Sequence, residues 1–512
     1  MQQNVKGFVV VIAIVVLALV ATGCSSGTGA SGKGGVLVVG SSADVESLDP
    51  HLAADLYTVR VCDQIFDTLV RLDYDGGYVG SLAESWEAEE EGRVWKFHLR
   101  DDVVCHDGEP LTADDVVFSF ERILDPDTES PRRDELNIIE EVRVEPGEND
   151  TLTVVLGEPN GAFLSLLLNV YIIPEHLVSE LEDGAAGTGP FVLQEMITDE
   201  KIELSAFDDY WAGPPLLDGL VFRPIPEIST RVVELETGGI HLMDEVPGED
   251  LERLREDEDV QLTTSIGSNY SVLGLNMDRE PFDDPVVRKA IAHAVDRKRL
   301  VETVYPGTAV VAEGPLPPSS WAHDPEFSGP EFDLQRAREY MEDSSVPEGF
   351  SAEMLISEGD RMERGAVLLQ SMLAEIGIDV EITSMEWGTF LGQLISRDYD
   401  MLRVAWTTDP EPDALLYSLL HSESEMLNFT GFDDPRVDEL LDEGRRETDL
   451  DRRAEIYREV GEIVVDDGAM TYLLHENHVI AHHRSVNDFR AHSTGAYYFR
   501  TGFGAETWME VD

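Results

Sequence analysis

Apolar positions along the chain gather into short runs closed by turn residues, and one run organises the rest: Met401 to Trp406 (MLRVAW), followed by the loop TTDPEP. Its length and apolar character predict a buried strand. Upstream, the hydrophobic period alternates between strand and helix. AEMLISE (352–358) reads as a strand, Arg364 to Ile376 as a helix stopped by Gly377, IDVEIT (378–383) as a strand and Trp387 to Ser396 as a helix. A β-α-β-α-β order predicts parallel strands, and ligands in open α/β sheets sit outside the carboxyl ends of such strands. The loop after Trp406 is therefore the expected ligand site. It places a cation (Arg403), an indole (Trp406) and a carboxylate (Asp409) within seven residues, a set suited to the charged ends and backbone of a short zwitterion such as a peptide. These residues alone leave open an aromatic core residue flanked by two solvated charges.

The same reading gives the other elements. VLVVGS (36–41) is a strand, and Ala53 to Leu69 a helix with Cys62 on its apolar side. Thr112 with Asp115 forms a capping box ahead of Val116, Val117 and Phe120. Residues 218–243 read strand, helix, strand; Asp284-Pro285 opens a helix with Val287, Ile291 and Ala294 on one face, and Asp296 restarts it. GTGPF (187–191) lacks both the GxxxxGK[ST] lysine and the GxGxxG spacing, so it is a turn with a structural role, whose glycines permit positive φ and whose Pro190 limits the next strand.

Length and charge change the picture. At 512 residues the chain exceeds a single core, so two or three lobes are expected, and 42% hydrophobic residues mark a globular protein. Asp and Glu number 103 against 37 Lys and Arg, a net charge of −66 spread over every predicted helix. Lysine is confined to positions 6, 33, 96, 201, 289 and 298, a balance that resembles proteins of extreme halophiles such as halophilic archaea. Such self-repulsion opposes compaction in dilute solution; near 1 M salt the Debye length falls to about 3 Å and screens most of it. No basic patch exists to neutralise phosphates, which excludes nucleic acid as a partner.

Lys6, the apolar run Phe8 to Val20 and Ala21-Thr22-Gly23-Cys24 read as a signal peptide over 1–23, too short for the ~20 apolar residues of a span. The end of the run is similar to a lipobox, with Ala21 where leucine is usual, which implies a lipid on Cys24 and a tether over 24–35. Cys62 and Cys105 are the remaining thiols, and the sequence leaves open whether they pair. There is no nucleophile elbow, HExxH or P-loop, so no catalytic residue or cofactor is expected and the chain reads as a non-enzyme; a surface hydrolase is the alternative from another class.

The ordered set SLDPH, CHDGEPLTADDVVFSFER, GTGPF, FDDYWAGPPLLDGLVFR, LGLNMDREPFDDPVVRKAIAHAVDRKRLV and GFDDPRVDELL resembles the family 5 extracellular solute-binding proteins, receptors of dipeptide, oligopeptide and nickel ABC importers. The resemblance implies an α/β clamshell of the periplasmic-binding-protein cluster C type. Its first lobe is 36–52, 187–270 and 480–512, an inserted subdomain 53–186 and its second lobe 271–479. It also implies that Asp409 pairs with a peptide's α-ammonium beside Trp406, that Arg403 receives its carboxylate, and that Asp44, Val45 and Glu46 run along its backbone as in strand addition. A monomer is expected, held at the outer face of the cytoplasmic membrane by its lipid and serving a permease heterodimer with cytoplasmic ATPases. Nickel complexes, a sugar or another small solute are the alternatives within the fold. HENHVIAHH carries His475, His478, His482 and His483, but its spacing suits no zinc site and no metal is expected.

Overall fold

The computed structural model describes residues 32–45, 47–145, 148–181, 186–407, 411–424 and 427–511. Strand β1 (Val36–Ser41) buries Leu37 and Val39. Helix α1 (Leu56–Ile65) starts where the Asp55 carboxylate accepts the N–H groups of Tyr57 and Thr58, donors that a first turn leaves unpaired. It ends short of the expected Leu69 because the Ile65 carbonyl accepts from Gly189 N at 2.9 Å. A Cβ on Gly189 would lie 2.5 Å from the Ile65 carbonyl carbon, and neither glycine of the GTGPF turn takes positive φ. These glycines serve close approach and make no use of the left-handed backbone that glycine permits.

A hairpin of β2 (Val70–Leu72) and β3 (Tyr78–Gly80) leads to an antiparallel sheet of β4 (Ala83–Glu89), β5 (Val94–Leu99), β6 (Ile139–Glu145) and β7 (Glu148–Leu156), ordered β4-β5-β7-β6. Helix α2 (Ala113–Leu124) opens with the expected capping box and lays Val116, Phe120 and Ile123 against Trp95, Phe97, Leu152 and Val154.

The remaining elements build one large sheet. Strands β8 (Phe191–Ile197), β9 (Lys201–Ala206) and β10 (Gly219–Pro224) precede helix α3 (Ile228–Glu236) and β11 (Leu242–Met243), then β12 (Val260–Ile266) and β13 (Asn269–Leu275). Helices α4 (Pro285–Ala294) and α5 (Arg297–Val304) are capped by Asp284 and Asp296, as expected. The predicted alternation then follows: β14 (Phe350–Ser357), α6 (Asp360–Ala374), β15 (Ile378–Met385), α7 (Trp387–Ser396) and β16 (Met401–Thr407). After α8 (Pro412–Leu420) and α9 (Leu450–Asp467), the long strand β17 (Met470–His483) returns through the middle.

The sheet order is β15-β14-β16-β13-β17-β11-β1-β10-β9-β8, with β14 parallel to both β15 and β16. Strand β17 belongs to both halves: residues 470–474 pair with β13 and 477–483 with β12. At the crossing Gly267 N donates to the Glu476 carbonyl at 3.0 Å. One core gathers Leu37, Phe191, Leu220 and Ile480, another Leu273, Ile291, Met354 and Leu473. The result is a two-lobed α/β clamshell whose polar seam falls at His475-Glu476-Asn477-His478.

A buried ion pair braces the first lobe. Arg500 and Asp67, both fully buried, pair at 2.5 Å, and Asp67 also accepts from Tyr210 Oη at 3.2 Å and Trp211 Nε1 at 3.1 Å. Cys62 and Cys105 are buried free thiols. Among the described residues no helix is long and apolar enough to cross a membrane.

Candidate ligand-binding cleft

Strands β14, β15 and β16 all end on one side of the second lobe, where α6, α7 and α8 begin. Arg403 and Trp406, three residues apart on β16, leave on opposite faces. Trp406 packs half-buried against the core that holds Leu402 and Val404, and its ring lies 6.0 Å from Trp387, the first residue of α7, which stacks on Phe390 at 5.7 Å. Trp387 is 46% exposed. The two indoles form an apolar wall at the mouth of the strands. Asp409 lies outside the described residues, as do Glu46 and Cys24.

Glu411, which caps α8 by accepting from Asp413 N at 3.2 Å, is buried against Arg453 at 2.5 Å. Burial raises its carboxyl pKa against the pull of Arg453. Tyr78 Oη donates to the same carboxylate at 2.9 Å, so the β2–β3 hairpin touches the helix that follows the Asp409 loop.

Arg403 is fully buried. Its Nη1 donates to the carbonyls of Arg361 (3.1 Å) and Met362 (2.9 Å), and its Nη2 to Tyr305 Oη at 2.7 Å. The guanidinium presented to the cleft is instead that of Arg361, whose side chain is 39% exposed and 3.3 Å from Glu476 Oε2. Burial raises the Glu476 carboxyl pKa, with Arg361 and Arg403 opposing.

Arg361 and Glu476 line a cavity of about 400 Å³ between the lobes, together with Arg60, Asp244, Glu245 and His478. Arg60 forms a buried ion pair with Asp244, and Glu245 accepts from Tyr57 Oη at 2.9 Å and pairs with Arg231 at 3.1 Å. Acids and bases thus face one another across a polar chamber. Burial costs an unpaired charge several kcal/mol, so such a chamber favours a guest that brings charges of both signs. Asp44 braces a turn, accepting from Val45 N at 2.9 Å and Asp199 N at 2.5 Å, while Val45 is buried in the first core.

The histidines of β17 disperse. His475 Nδ1 donates to the Asn269 carbonyl at 2.7 Å, His482 Nε2 meets Thr263 Oγ1 at 2.9 Å, and His483 Nδ1 meets Ser485 Oγ at 2.7 Å. Burial pushes the His475 pKa down to about 4. Among the described residues no group of three or more His, Cys, Asp or Glu is arranged to hold a metal ion.

Sequence reasoning missed Arg361, Glu476 and Trp387. Trp387 was legible only as a helix start, although an indole at the carboxyl end of a parallel strand is itself a signal. Arg361 and Glu476 are 115 positions apart, and no local pattern joins them.

Residues 77–426 match the family model described as bacterial extracellular solute-binding proteins, family 5 middle. The chain is 27% identical over 472 residues to di/tripeptide-binding protein 1 of Pseudomonas aeruginosa (strain UCBPP-PA14), covering 85% of this chain and 88% of that one. It is 30% identical over 418 residues to heme-binding protein A of Haemophilus influenzae, covering 75% and 76%. Among solved structures, the periplasmic binding protein DppA of Helicobacter pylori in complex with the peptide STSA is 30% identical, with a TM-score of 0.70 over 94% of this chain and 99% of that one. With the model match spanning more than half of its length, the chain belongs to the family 5 extracellular solute-binding proteins.

Proposed function

We propose that this protein is the extracytoplasmic receptor of an ABC importer that captures short peptides between its lobes and delivers them to a membrane permease. The observation that carries this reading is the polar chamber between the lobes, where Arg361, from the helix that follows β14, faces Glu476. A peptide supplies an ammonium, a carboxylate and a polar backbone in one small guest. Arg361 is the fork exposed to its carboxylate, and Asp409, on the loop that leaves β16, is the carboxylate for its ammonium. The backbone of Asp44, Val45 and Glu46, and not the buried Val45 side chain or the turn-bracing Asp44 carboxylate, runs beside the guest from the first lobe. Closure is a hinge motion about the crossing at Gly267 and Glu476, with 36–52, 187–270 and 480–512 as one body, 53–186 as its inserted subdomain and 271–479 as the other.

The names of the relatives support a peptide guest, since a di/tripeptide-binding protein and a peptide complex stand among them. In this reading Cys24 carries the lipid that holds a monomer at the membrane, and the acidic surface adapts the protein to molar salt. Native mass spectrometry of the protein purified from its own cells in high salt tests the reading. A co-purified mass that fragments into amino acids supports it; a nickel complex, heme or sugar in its place refutes the peptide guest while leaving the receptor role.

A further inference from the structure

Arg403 stands where a strand side chain is most constrained. Its backbone pairs with Leu273 of β13 on one side and Ile356 of β14 on the other, and its side chain is fully enclosed. Two of its donors end on carbonyls in the first turn of α6, and a third on Tyr305. Among the described residues no carboxylate lies within ion-pair distance of its guanidinium.

Helix α6 begins without a side-chain cap, because its N-cap residue is Gly359. Burying the Arg403 guanidinium beside this helix costs its hydration, which the two carbonyl contacts and Tyr305 offset. The fit is specific: a Cβ on Gly365 would lie 2.7 Å from both Cζ and Nη1 of Arg403, so the guanidinium occupies the space that glycine leaves in the helix. The same Tyr305 ring lies 5.5 Å from the Arg361 Cζ and 5.9 Å from the Arg403 Cζ. Arg403 therefore grips the backbone of the residue whose side chain faces the cleft.

We propose that Arg403 is a positioning residue that anchors the first turn of α6 and so aims the Arg361 guanidinium at the interlobe cavity, governing recognition of the ligand's carboxylate without touching it. This rests on the peptide reading above. A long side chain on an uncapped helical turn loses directional precision when that turn frays, and a bidentate pair depends on that precision.

The test compares binding of one short peptide and its C-terminal amide, by titration calorimetry in molar KCl, to the wild type, Arg361→Gln, Arg403→Lys, Gly365→Ala and the Arg361→Gln/Arg403→Lys double variant. Wild type is expected to prefer the free acid by about tenfold or more, and Arg361→Gln to lose that preference. Arg403→Lys keeps the charge but lacks the fork whose two nitrogens reach the carbonyls and the phenol separately, and Gly365→Ala displaces a guanidinium that is still present. Both are expected to weaken the acid preference while leaving amide affinity in place, and the double variant is expected to match Arg361→Gln alone. Amide hydrogen exchange over residues 361–366 without ligand is expected to quicken in Arg403→Lys and not in Arg361→Gln. A further loss of acid preference on adding Arg403→Lys to Arg361→Gln, or unchanged exchange in Arg403→Lys, overturns the proposal. Equal wild-type affinities for acid and amide remove the peptide-carboxylate reading and the recognition role with it, a failure told apart from the anchoring role by the exchange data.

Discussion

Tyr78 Oη donates to Glu411 Oε2 across 2.9 Å, fastening the β2–β3 hairpin to the N-terminus of α8. Beside it Gly161 N donates to the Arg445 carbonyl at 2.6 Å, and Arg453 reaches the Gly161 carbonyl at 3.3 Å as well as Glu411. A Cβ on Gly161 would meet the Glu447 carbonyl oxygen at 1.7 Å, so only glycine permits this approach. The small antiparallel sheet thereby docks on the second lobe just downstream of Asp409.

Removing the phenol in Tyr78→Phe is expected to lower unfolding stability by about 1.5–3 kcal/mol, the range for a hydrogen bond to a charged group. Glu411→Leu is expected to cost more, about 3–5 kcal/mol, because it strands Arg453 without its carboxylate. Denaturant unfolding in high salt measures both, and a milder effect for Glu411→Leu than for Tyr78→Phe contradicts the assignment.

His475 offers a pH test. Its pKa is pushed down to about 4 by burial, so the folded state holds it neutral while the unfolded chain binds a proton near pH 6.5. A lowered pKa contributes stability above the unfolded value that is lost as pH falls toward the folded one. The stability gap between wild type and His475→Gln is therefore expected to favour the wild type at pH 7 and to shrink by up to about 1.4 kcal/mol per pH unit between 6.5 and 4. Unfolding curves of both proteins across that range check it; a constant gap contradicts it.

Much of the fold was legible because its signals are local. The change of hydrophobic period between 352 and 406 gave the parallel unit in the right order, and Thr112, Asp284 and Asp296 marked helix starts that their side chains do cap. The turn at 187–191 was placed correctly, but its close approach to Ile65 is a tertiary fact that the local sequence does not carry. For the candidate site the sequence pointed to the carboxyl end of β16, whereas the interlobe cavity is lined by Arg361, after β14, and Glu476, on β17. Alternation along a strand already separates Arg403 from Trp406, but which residue fills the vacated place depends on α6 lying over β16 and on β17 crossing between the lobes. Residue types along the chain carry neither.

The buried Arg500–Asp67 pair ties the segment around Arg500 to the turn between α1 and β2. Arg500→Met keeps the volume and leaves Asp67 to Tyr210, Trp211, Thr188 and a 3.4 Å contact with Arg71. A loss of about 3–5 kcal/mol is expected from the unbalanced buried carboxylate, read from denaturant midpoints.

The net charge of −66 sets the response to salt. Screening at about 1 M shortens the Debye length to roughly 3 Å and relieves repulsion across the whole surface. The melting temperature is expected to rise steeply from dilute buffer to molar KCl, and a flat profile contradicts halophilic adaptation.

The most direct measurement is the affinity of the wild-type protein, in molar KCl, for a short peptide with both ends free, for its N-acetylated form and for its C-terminal amide. Recognition of both charged ends requires each blocked form to bind about tenfold more weakly or worse. Three equal affinities would mean that neither end is read, and that the interlobe chamber selects its guest by some other chemistry.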